Sequence, residues 1–194
     1  KSNVLRHAHD RAPLRAAEAL RAMNAPTPLD GLIVDNRVND GGAQTVLKAV
    51  LALFTAGRAG HFVSRADKHA LRIDAAPVGN SQTVPLVVLV GVDSVSYGEI
   101  FAGILQDIGR ATLVGETTEG NVETIWGYDL PDGSRAWIAR ETFRPLNHPD
   151  DNWELTGIIP DLSAPARWED ITEANDPGVE AALVYFVGSA PMYR

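Results

Sequence analysis

The amino-acid sequence predicts an α/β fold in which a mostly parallel sheet and flanking helices form layers. Strand patterns alternate with helical patterns along the chain, which is typical of parallel strands joined through helices. The apolar run at residues 85–90 is continuous rather than alternating, so we expect both faces of that strand to be covered. Aromatic residues make up only 7% of the chain, whereas Ala, Val, Leu and Gly are abundant, as in α/β cores.

The first half of the chain alternates between strand and helix patterns. Ala16, Leu20 and Met23 fall on one face of the first helix. That helix ends before Pro26, because proline cannot continue a helix. The predicted elements are, in order, a strand at residues 4–9, a helix at 10–24, a strand at 32–34, a helix at 45–54 and weaker strands at 61–64 and 71–73.

The second half begins with the clearest strand of the sequence. The turn sequence Pro131-Asp132-Gly133 predicts a hairpin, because Pro and Gly favour the backbone angles of tight turns. The predicted elements are, in order, the strand at 85–90, a helix from about residue 97 to 108, a strand at 111–115, the hairpin at 128–143 and a terminal helix at 176–187.

The composition excludes several classes of protein. With 17 Lys and Arg against 25 Asp and Glu, the formal charge of −8 repels phosphate backbones and disfavours nucleic acid as a partner. The absence of cysteine excludes thiol nucleophiles, thiolate zinc sites and disulfides, and it fits the cytosol as well as a bacterial envelope. No apolar run approaches the ~18 residues that span a membrane. The chain begins with Lys1 and shows no signal-peptide pattern, so we expect it to belong to a longer protein.

Ser96 is a candidate nucleophile because it lies between the predicted buried strand and the helix that follows. A hydroxyl at such a turn projects beyond the sheet, where the first N–H groups of the helix and its dipole can stabilise an oxyanion. Serine is also a preferred helix N-cap, and for an isolated motif that structural interpretation is the more frequent one.

Gly41 and Gly42 provide a second signal at the end of another predicted strand. Glycine lets the backbone approach a ligand closely and turn its N–H groups inward. A simple tight turn is the alternative interpretation, and it would be preferred if the glycine pair stood alone.

Together, five segments of the chain resemble those of the C-terminal-processing serine peptidases, also called tail-specific proteases, and of their tricorn-core relatives. They are, in order, residues 31–42 (a strand and D-L-R-x-N-x-G-G), 94–100 (S-A-S-A-S-E), 115–120 (G-E-x-T-x-G), 157–161 (G-I-x-P-D) and Asp176-Pro177 before the last helix. The resemblance spans nearly the whole chain. It implies a crotonase/Clp-protease-like fold and one peptidase catalytic domain at residues 1–194, in which no PDZ module is visible.

The resemblance also implies roles for individual residues. Ser96 matches the nucleophile, and the N–H of Tyr97 would form one half of the oxyanion hole. The N–H of Gly41 or Gly42 would form the other half. We expect no cofactor and no metal.

The position that matches the family's general base is occupied by a residue that cannot accept a proton. The lysine that follows the G-E-x-T-x-G segment is replaced by Asn121, and an amide does not accept a proton at neutral pH. The lysines of this chain are Lys1, Lys48 and Lys68, and none lies near that position in the sequence. The usual Ser–Lys dyad is therefore absent.

The missing lysine leaves three possibilities. The tricorn-core branch implies a histidine of the first strand with a glutamate near the G-I-x-P-D segment, which here indicates His7, preferred over His9, and Glu154. Imidazole would take the hydroxyl proton and the carboxylate would orient the ring. Asp107, in the helix after Ser96, is a second option with a structural role as its alternative. The third is a catalytically inactive chain.

The sequence thus predicts a serine-type endopeptidase that cleaves unfolded or C-terminal peptide segments by acyl transfer through Ser96. The alternative is an inactive, peptide-binding relative, which the replacement of the lysine by Asn121 favours. We expect a peptide or unfolded protein as partner. We place the protein in the bacterial cell envelope or outside the cell, with the cytoplasm as the alternative.

Overall fold

The computed structural model describes residues 11–172 and 174–189, which form two four-stranded sheets with helices packed around them. The helices are α1 (Ala12–Asn24), α2 (Gln44–Phe54), α3 (Tyr97–Asp107) and α4 (Pro177–Ser189), with a short 3₁₀ helix at Trp168–Asp170. The strands are β1 (Leu32–Asp35), β2 (Gly57–Val63), β3 (Lys68–Ile73), β4 (Leu86–Val90), β5 (Thr112–Gly115), β6 (Thr124–Asp129), β7 (Arg135–Pro145) and β8 (Leu162–Ser163). The predicted strand at 4–9 lies outside the described residues.

β4 lies inside the parallel sheet, whose strand order is β1-β4-β5-β8. All five of its residues are buried. Val87 and Leu89 cluster with Ala182 of α4 on one face of the sheet, whereas Val88 and Val90 belong to the larger core on the other. The prediction that both faces of this strand are covered is confirmed. Burying one such side chain contributes about 1.5–3 kcal/mol, so β4 is a firm base for the turn that follows it.

The second sheet is antiparallel, with the order β3-β2-β7-β6. Phe62 and Phe143 are fully buried within it, and their rings meet edge to face with centroids 5.1 Å apart. The predicted hairpin is present but begins at β6, four residues earlier than predicted. The weak strands at 61–64 and 71–73 are longer in the structure, because exposed residues such as Arg58 and Lys68 interrupt their apolar pattern.

The topology brings the two candidate loops together. β1 pairs with β4 in parallel, and Asp35 at the end of β1 lies opposite Leu89. Since the carboxyl ends of parallel neighbours meet at one edge of a sheet, the loop that carries the glycine pair and the turn that carries Ser96 leave the same edge.

Candidate active site

Ser96 has a strained backbone conformation at the N-terminus of α3. Its φ of 56° and ψ of −124° lie where residues other than glycine are rare, at a cost of about 1–3 kcal/mol. Its N–H donates to the carbonyl of Asn121 at 3.0 Å and to the carboxylate of Glu99 at 3.1 Å. These bonds offset the strain. A serine held in a sharp, strained strand-to-helix turn is the arrangement that exposes a nucleophilic hydroxyl in other hydrolases.

Glu99 holds this turn against the loop that follows β5. Its carboxyl group is fully buried and accepts four hydrogen bonds. Oε1 accepts from the hydroxyl of Thr118 at 2.5 Å and from the N–H of Gly120 at 2.7 Å. Oε2 accepts from the N–H groups of Ser96 at 3.1 Å and Asn121 at 2.9 Å. One side chain therefore fixes the backbone on both sides of the candidate nucleophile.

Two asparagines hold the turn against the glycine loop. The amide of Asn36 is buried and donates to the carbonyl of Gly98 at 3.0 Å, and the carbonyl of Asn39 accepts from Val95 at 2.9 Å. The Asn39 side chain donates to Asn36 Oδ1 at 2.8 Å and accepts from the N–H of Gly41 at 3.0 Å. This network fixes the distance between the two loops. The sequence analysis did not single out either asparagine, because their partners lie about 60 residues away.

Gly41 lies directly against Ser96. A Cβ built at Gly41 would lie 2.8 Å from Ser96 Cβ, 3.0 Å from the nitrogen of Tyr97 and 3.2 Å from Ser96 Oγ, and its φ is +91°. Only glycine meets both requirements. The N–H of Gly41 is already bonded to Asn39, whereas those of Gly42 and Tyr97 have no acceptor among the described residues. Tyr97, directly after the serine, thus carries one unpaired backbone donor, and Gly42, directly after the glycine that contacts Ser96, carries another.

Asn121 and Glu154 lie on the other side of Ser96. The backbone of Asn121 bonds to Ser96 and Glu99, whereas its exposed side chain makes no hydrogen bond within the described part of the chain. Glu154 Oε2 accepts from the N–H groups of Val122 at 2.8 Å and Glu123 at 3.1 Å. The structure therefore places the backbone of Asn121 next to Ser96. Glu154 is hydrogen-bonded to Val122 and Glu123, the two residues that follow Asn121.

Asp107 is not brought to Ser96, whereas His7 and His9 lie outside the described residues. Asp107 is the last residue of α3, at the far end from Ser96, and its carboxylate accepts from the backbone N–H groups of residues 146–148. Its role is structural. Lys48 lies on α2, and Lys68 is an exposed residue that begins β3.

A cavity of about 210 Å³ adjoins the serine turn. Its walls are mainly apolar and include Val46, Val50 and Phe101, and it reaches Gly41 and Tyr97. The sequence predicted the helix at residues 45–54 but not this cavity, because periodicity alone does not distinguish a core face from the wall of a cavity.

Tyr97 anchors the start of α3 with its ring. The ring is half-buried and meets Phe62 edge to face, with centroids 6.2 Å apart. Burial raises the pKa of its phenol to about 12, and the negative charge of Glu141 adds to the effect.

A metal-binding cluster and a membrane-spanning helix are both absent from the described residues. Within residues 11–172 and 174–189, no group of three or more His, Asp or Glu side chains is placed to hold a metal ion. No helix in the same residues is both long and apolar enough to cross a membrane.

A strained serine at a helix N-terminus, with unpaired backbone donors beside it, is characteristic of serine hydrolases. Sequence comparison gives the family: the Peptidase family S41 model matches residues 9–164, and the chain belongs to this family.

The relatives that the chain resembles are processing proteases. A carboxyl-terminal-processing protease of Picosynechococcus is 35% identical over 147 residues, which are 70% of this chain and 32% of that protein. The chain spans about a third of the length of the curated relatives it matches. A photosystem II D1 C-terminal processing protease has the same fold, with a TM-score of 0.69 at 23% identity, over 84% of this chain and 41% of that one. Tricorn protease matches with a TM-score of 0.57 at 21% identity, over 83% of this chain and 15% of that one.

Proposed function

We propose that residues 1–194 form the catalytic domain of a serine endopeptidase in which Ser96 is the nucleophile. The observation that carries the proposal is the strained Ser96 turn facing Gly41 at the N-terminus of α3. The names of the relatives, which are carboxyl-terminal-processing proteases, support the reaction class.

The substrate that fits this site is an extended peptide. β6 is an edge strand whose first residue, Thr124, follows Asn121 closely, so a peptide can pair beside its first residues and pass Ser96. The apolar cavity beside Tyr97 would accept one apolar side chain. Because a folded substrate cannot present an extended strand, we propose unfolded or C-terminal segments as the substrates, in the cell envelope or outside the cell.

The chemistry begins with attack by Ser96 Oγ on the peptide carbonyl. As the oxygen–carbon bond forms, the hydroxyl proton passes to the base and negative charge develops on the carbonyl oxygen. The N–H groups of Tyr97 and Gly42 would stabilise that oxyanion, with Gly42 preferred over Gly41 because the latter N–H is occupied. The carbon–nitrogen bond then breaks as the leaving nitrogen takes the proton. Water hydrolyses the acyl-enzyme by the same route in reverse.

We propose His7 as the base, oriented by Glu154. Glu154 Oε1 accepts no hydrogen bond within the described residues, so one carboxylate oxygen is available to orient an imidazole. Ala12 lines the cavity that reaches Gly41 and Tyr97, so the chain enters α1 beside the site. A span of five residues covers at most about 18 Å, which keeps His7 within reach. His9 is the alternative.

A second function, peptide binding without cleavage, is favoured by one observation. Asn121 takes the place of the lysine base, and its exposed side chain cannot accept the serine proton. The strained turn and the two free donors favour catalysis, since a binding protein has no chemical use for them.

Labelling with a fluorophosphonate tests the nucleophile. We expect covalent modification of the unmodified chain and none in Ser96→Ala, with Ser134→Ala, at an exposed serine of the β6–β7 turn, as a matched control that retains Ser96. Labelling that persists in Ser96→Ala would end the assignment.

Peptide hydrolysis tests the base. We expect the rate to fall below about pH 6.5, the ordinary pKa of imidazole, and to be lost in His7→Ala. Asn121→Lys should restore the dyad and move the pH optimum upward. If neither change alters a measurable rate, the base is misassigned, and if the labelled chain cleaves nothing, peptide binding becomes the preferred function.

A further inference from the structure

Trp168 connects the turn that precedes Ser96 to the N-terminal end of α4. Its indole N–H donates to Asp93 Oδ2 at 2.9 Å, and Asp93 lies three residues before Ser96. On the other side, the guanidinium carbon of Arg37 lies 5.4 Å from the centroid of the indole ring. We call Asp93, Trp168 and Arg37 the Trp168 bridge.

Arg37 is the fixed end of this bridge. Its side chain is only 11% exposed and binds two carboxylates. It contacts Asp35 at 2.6 and 2.9 Å and Asp176 at 2.7 and 3.0 Å. Asp176 also accepts from the N–H groups of Gly178 and Val179 in the first turn of α4, and its bonds to Arg37 lower its pKa. Paired contacts of this kind leave the guanidinium little freedom, so the Trp168 ring rests on a rigid support.

Asp93 is the end of the bridge that belongs to the Ser96 turn. The turn at residues 91–95 is tied to the glycine loop through Ser94, whose hydroxyl donates to the carbonyl of Asn36 at 2.8 Å. Asp93 is exposed and accepts the hydrogen bond of Trp168. This bond is a side-chain contact of the turn separate from that of Ser94.

The space behind the turn is open. A cavity of about 510 Å³ lies there, with Gly91, Val92, Gly115, Arg37 and Trp168 among its walls. Close packing fixes a backbone segment by contact on all sides, and a cavity removes that constraint on one side. The position of the turn on this side thus depends on the bridge rather than on packing.

We propose that Trp168 is a positioning residue that holds the Ser96 turn through Asp93. The inference rests on the proposed role of Ser96 as nucleophile. A small displacement of a nucleophile lowers the rate of the chemical step far more than it lowers substrate binding. Loss of the bridge should therefore reduce kcat and leave KM nearly unchanged.

Trp168→Phe is the direct test, because phenylalanine keeps a ring over Arg37 and lacks the N–H donor. We expect kcat to fall about fivefold at unchanged KM, the size of effect seen for residues that couple to a site without touching the ligand. Asp93→Ala should give the same loss, and the double variant should be no slower than either single one. Trp137→Phe is the matched control, because that 61% exposed tryptophan also lies near an arginine, Arg135, and should leave kcat unchanged.

Hydrogen exchange gives a readout that does not need turnover. Amides of residues 91–98 should exchange faster in Trp168→Phe and in Asp93→Ala than in the unmodified chain, with Trp137→Phe unchanged. If the unmodified chain neither labels nor cleaves, the proposed function fails while the exchange result still tests the bridge. Unchanged exchange and kcat, losses that multiply in the double variant, or a raised KM at unchanged kcat would each overturn the proposal.

Discussion

The two sides of the candidate site are built differently. On the proposed oxyanion side, the side chains of Asn36, Asn39 and Glu99 bind the backbone of both loops around Ser96. On the base side, Asn121 contributes backbone bonds alone. The described fold thus fixes the loops that carry the proposed charge-stabilising groups, and within the described residues it does not bring a proton acceptor to the serine.

This difference separates two kinds of reactivity. A phosphonate that carries its own leaving group requires an exposed serine and an oxyanion hole above all. Hydrolysis of an amide also requires a proton donor for the leaving nitrogen. The comparison therefore predicts that labelling depends on the oxyanion side and that turnover depends on both sides. Variants on the oxyanion side should show the largest effects.

Gly41→Ala should have the largest effect. The new methyl group would meet Ser96 Cβ at 2.8 Å and the nitrogen of Tyr97 at 3.0 Å, at a φ of +91°. We expect phosphonate labelling and hydrolysis to fall by about a hundredfold or more, as when an oxyanion donor is lost. Labelling rates report the contact with Ser96, and thermal unfolding reports the loss of stability, so both should be measured on the same samples.

Gly57→Ala is the control for backbone strain. Gly57 has a φ of +95°, close to that of Gly41, but a Cβ there would meet nothing within 4 Å. Both variants should lose about 1–2 kcal/mol of stability because alanine is disfavoured at positive φ. Equal losses of labelling in the two variants would show that strain, not contact with Ser96, explains the effect.

Glu99→Gln should have the second-largest effect on labelling. The carboxyl group accepts four hydrogen bonds in a fully buried position, and an amide nitrogen in place of one oxygen would face two N–H or O–H donors. Leaving buried donors unsatisfied costs about 1–3 kcal/mol each. We therefore expect the free energy of unfolding to fall by at least about 2 kcal/mol in denaturant titrations, and labelling to slow about tenfold.

Glu180→Gln is the matched substitution, because Glu180 is an exposed residue in the first turn of α4. It should change stability by less than about 0.5 kcal/mol. If Glu99→Gln is equally mild, the hydrogen bonds of Glu99 do not determine the geometry of the turn.

The sequence was sufficient for the parts of the site that depend on local pattern. A continuous apolar run followed by Ser96 predicted β4, the turn and α3, and the glycine pair predicted the loop after β1. The family membership is shown by the match over residues 9–164. The roles of Ser96, Gly41 and Gly42 remain predictions.

The parts that depend on distant contacts could not be predicted. Two hydrogen-bond partners of Glu99, Thr118 and Gly120, lie about 20 residues further along the chain. The Asn36 and Trp168 contacts join residues 62 and 75 positions from their partners. The antiparallel sheet was predicted only in fragments, because exposed residues such as Arg58 and Lys68 interrupt the apolar pattern of β2 and β3.

Substitution of Tyr97 should have the smallest effect of the variants on the oxyanion side. The N–H of Tyr97 is a proposed oxyanion donor, and its half-buried ring packs the first turn of α3 against Phe62. The pKa of the phenol is about 12 in the folded protein and about 10 in the unfolded chain. Between these values the unfolded state loses the proton first, so the folded state binds more protons.

Stability from this group is therefore complete below about pH 10 and is lost as the pH rises toward 12. In a spectroscopic titration of the phenolates, we expect one of the four tyrosines to ionise near pH 12. Tyr97→Phe should remove that late step and flatten the alkaline loss of stability, whereas Tyr128→Phe, on the exposed hairpin, should leave both in place. If the late step survives in Tyr97→Phe, the ring is not held where the oxyanion side requires it. The backbone donor that depends on the ring would then lose its structural support.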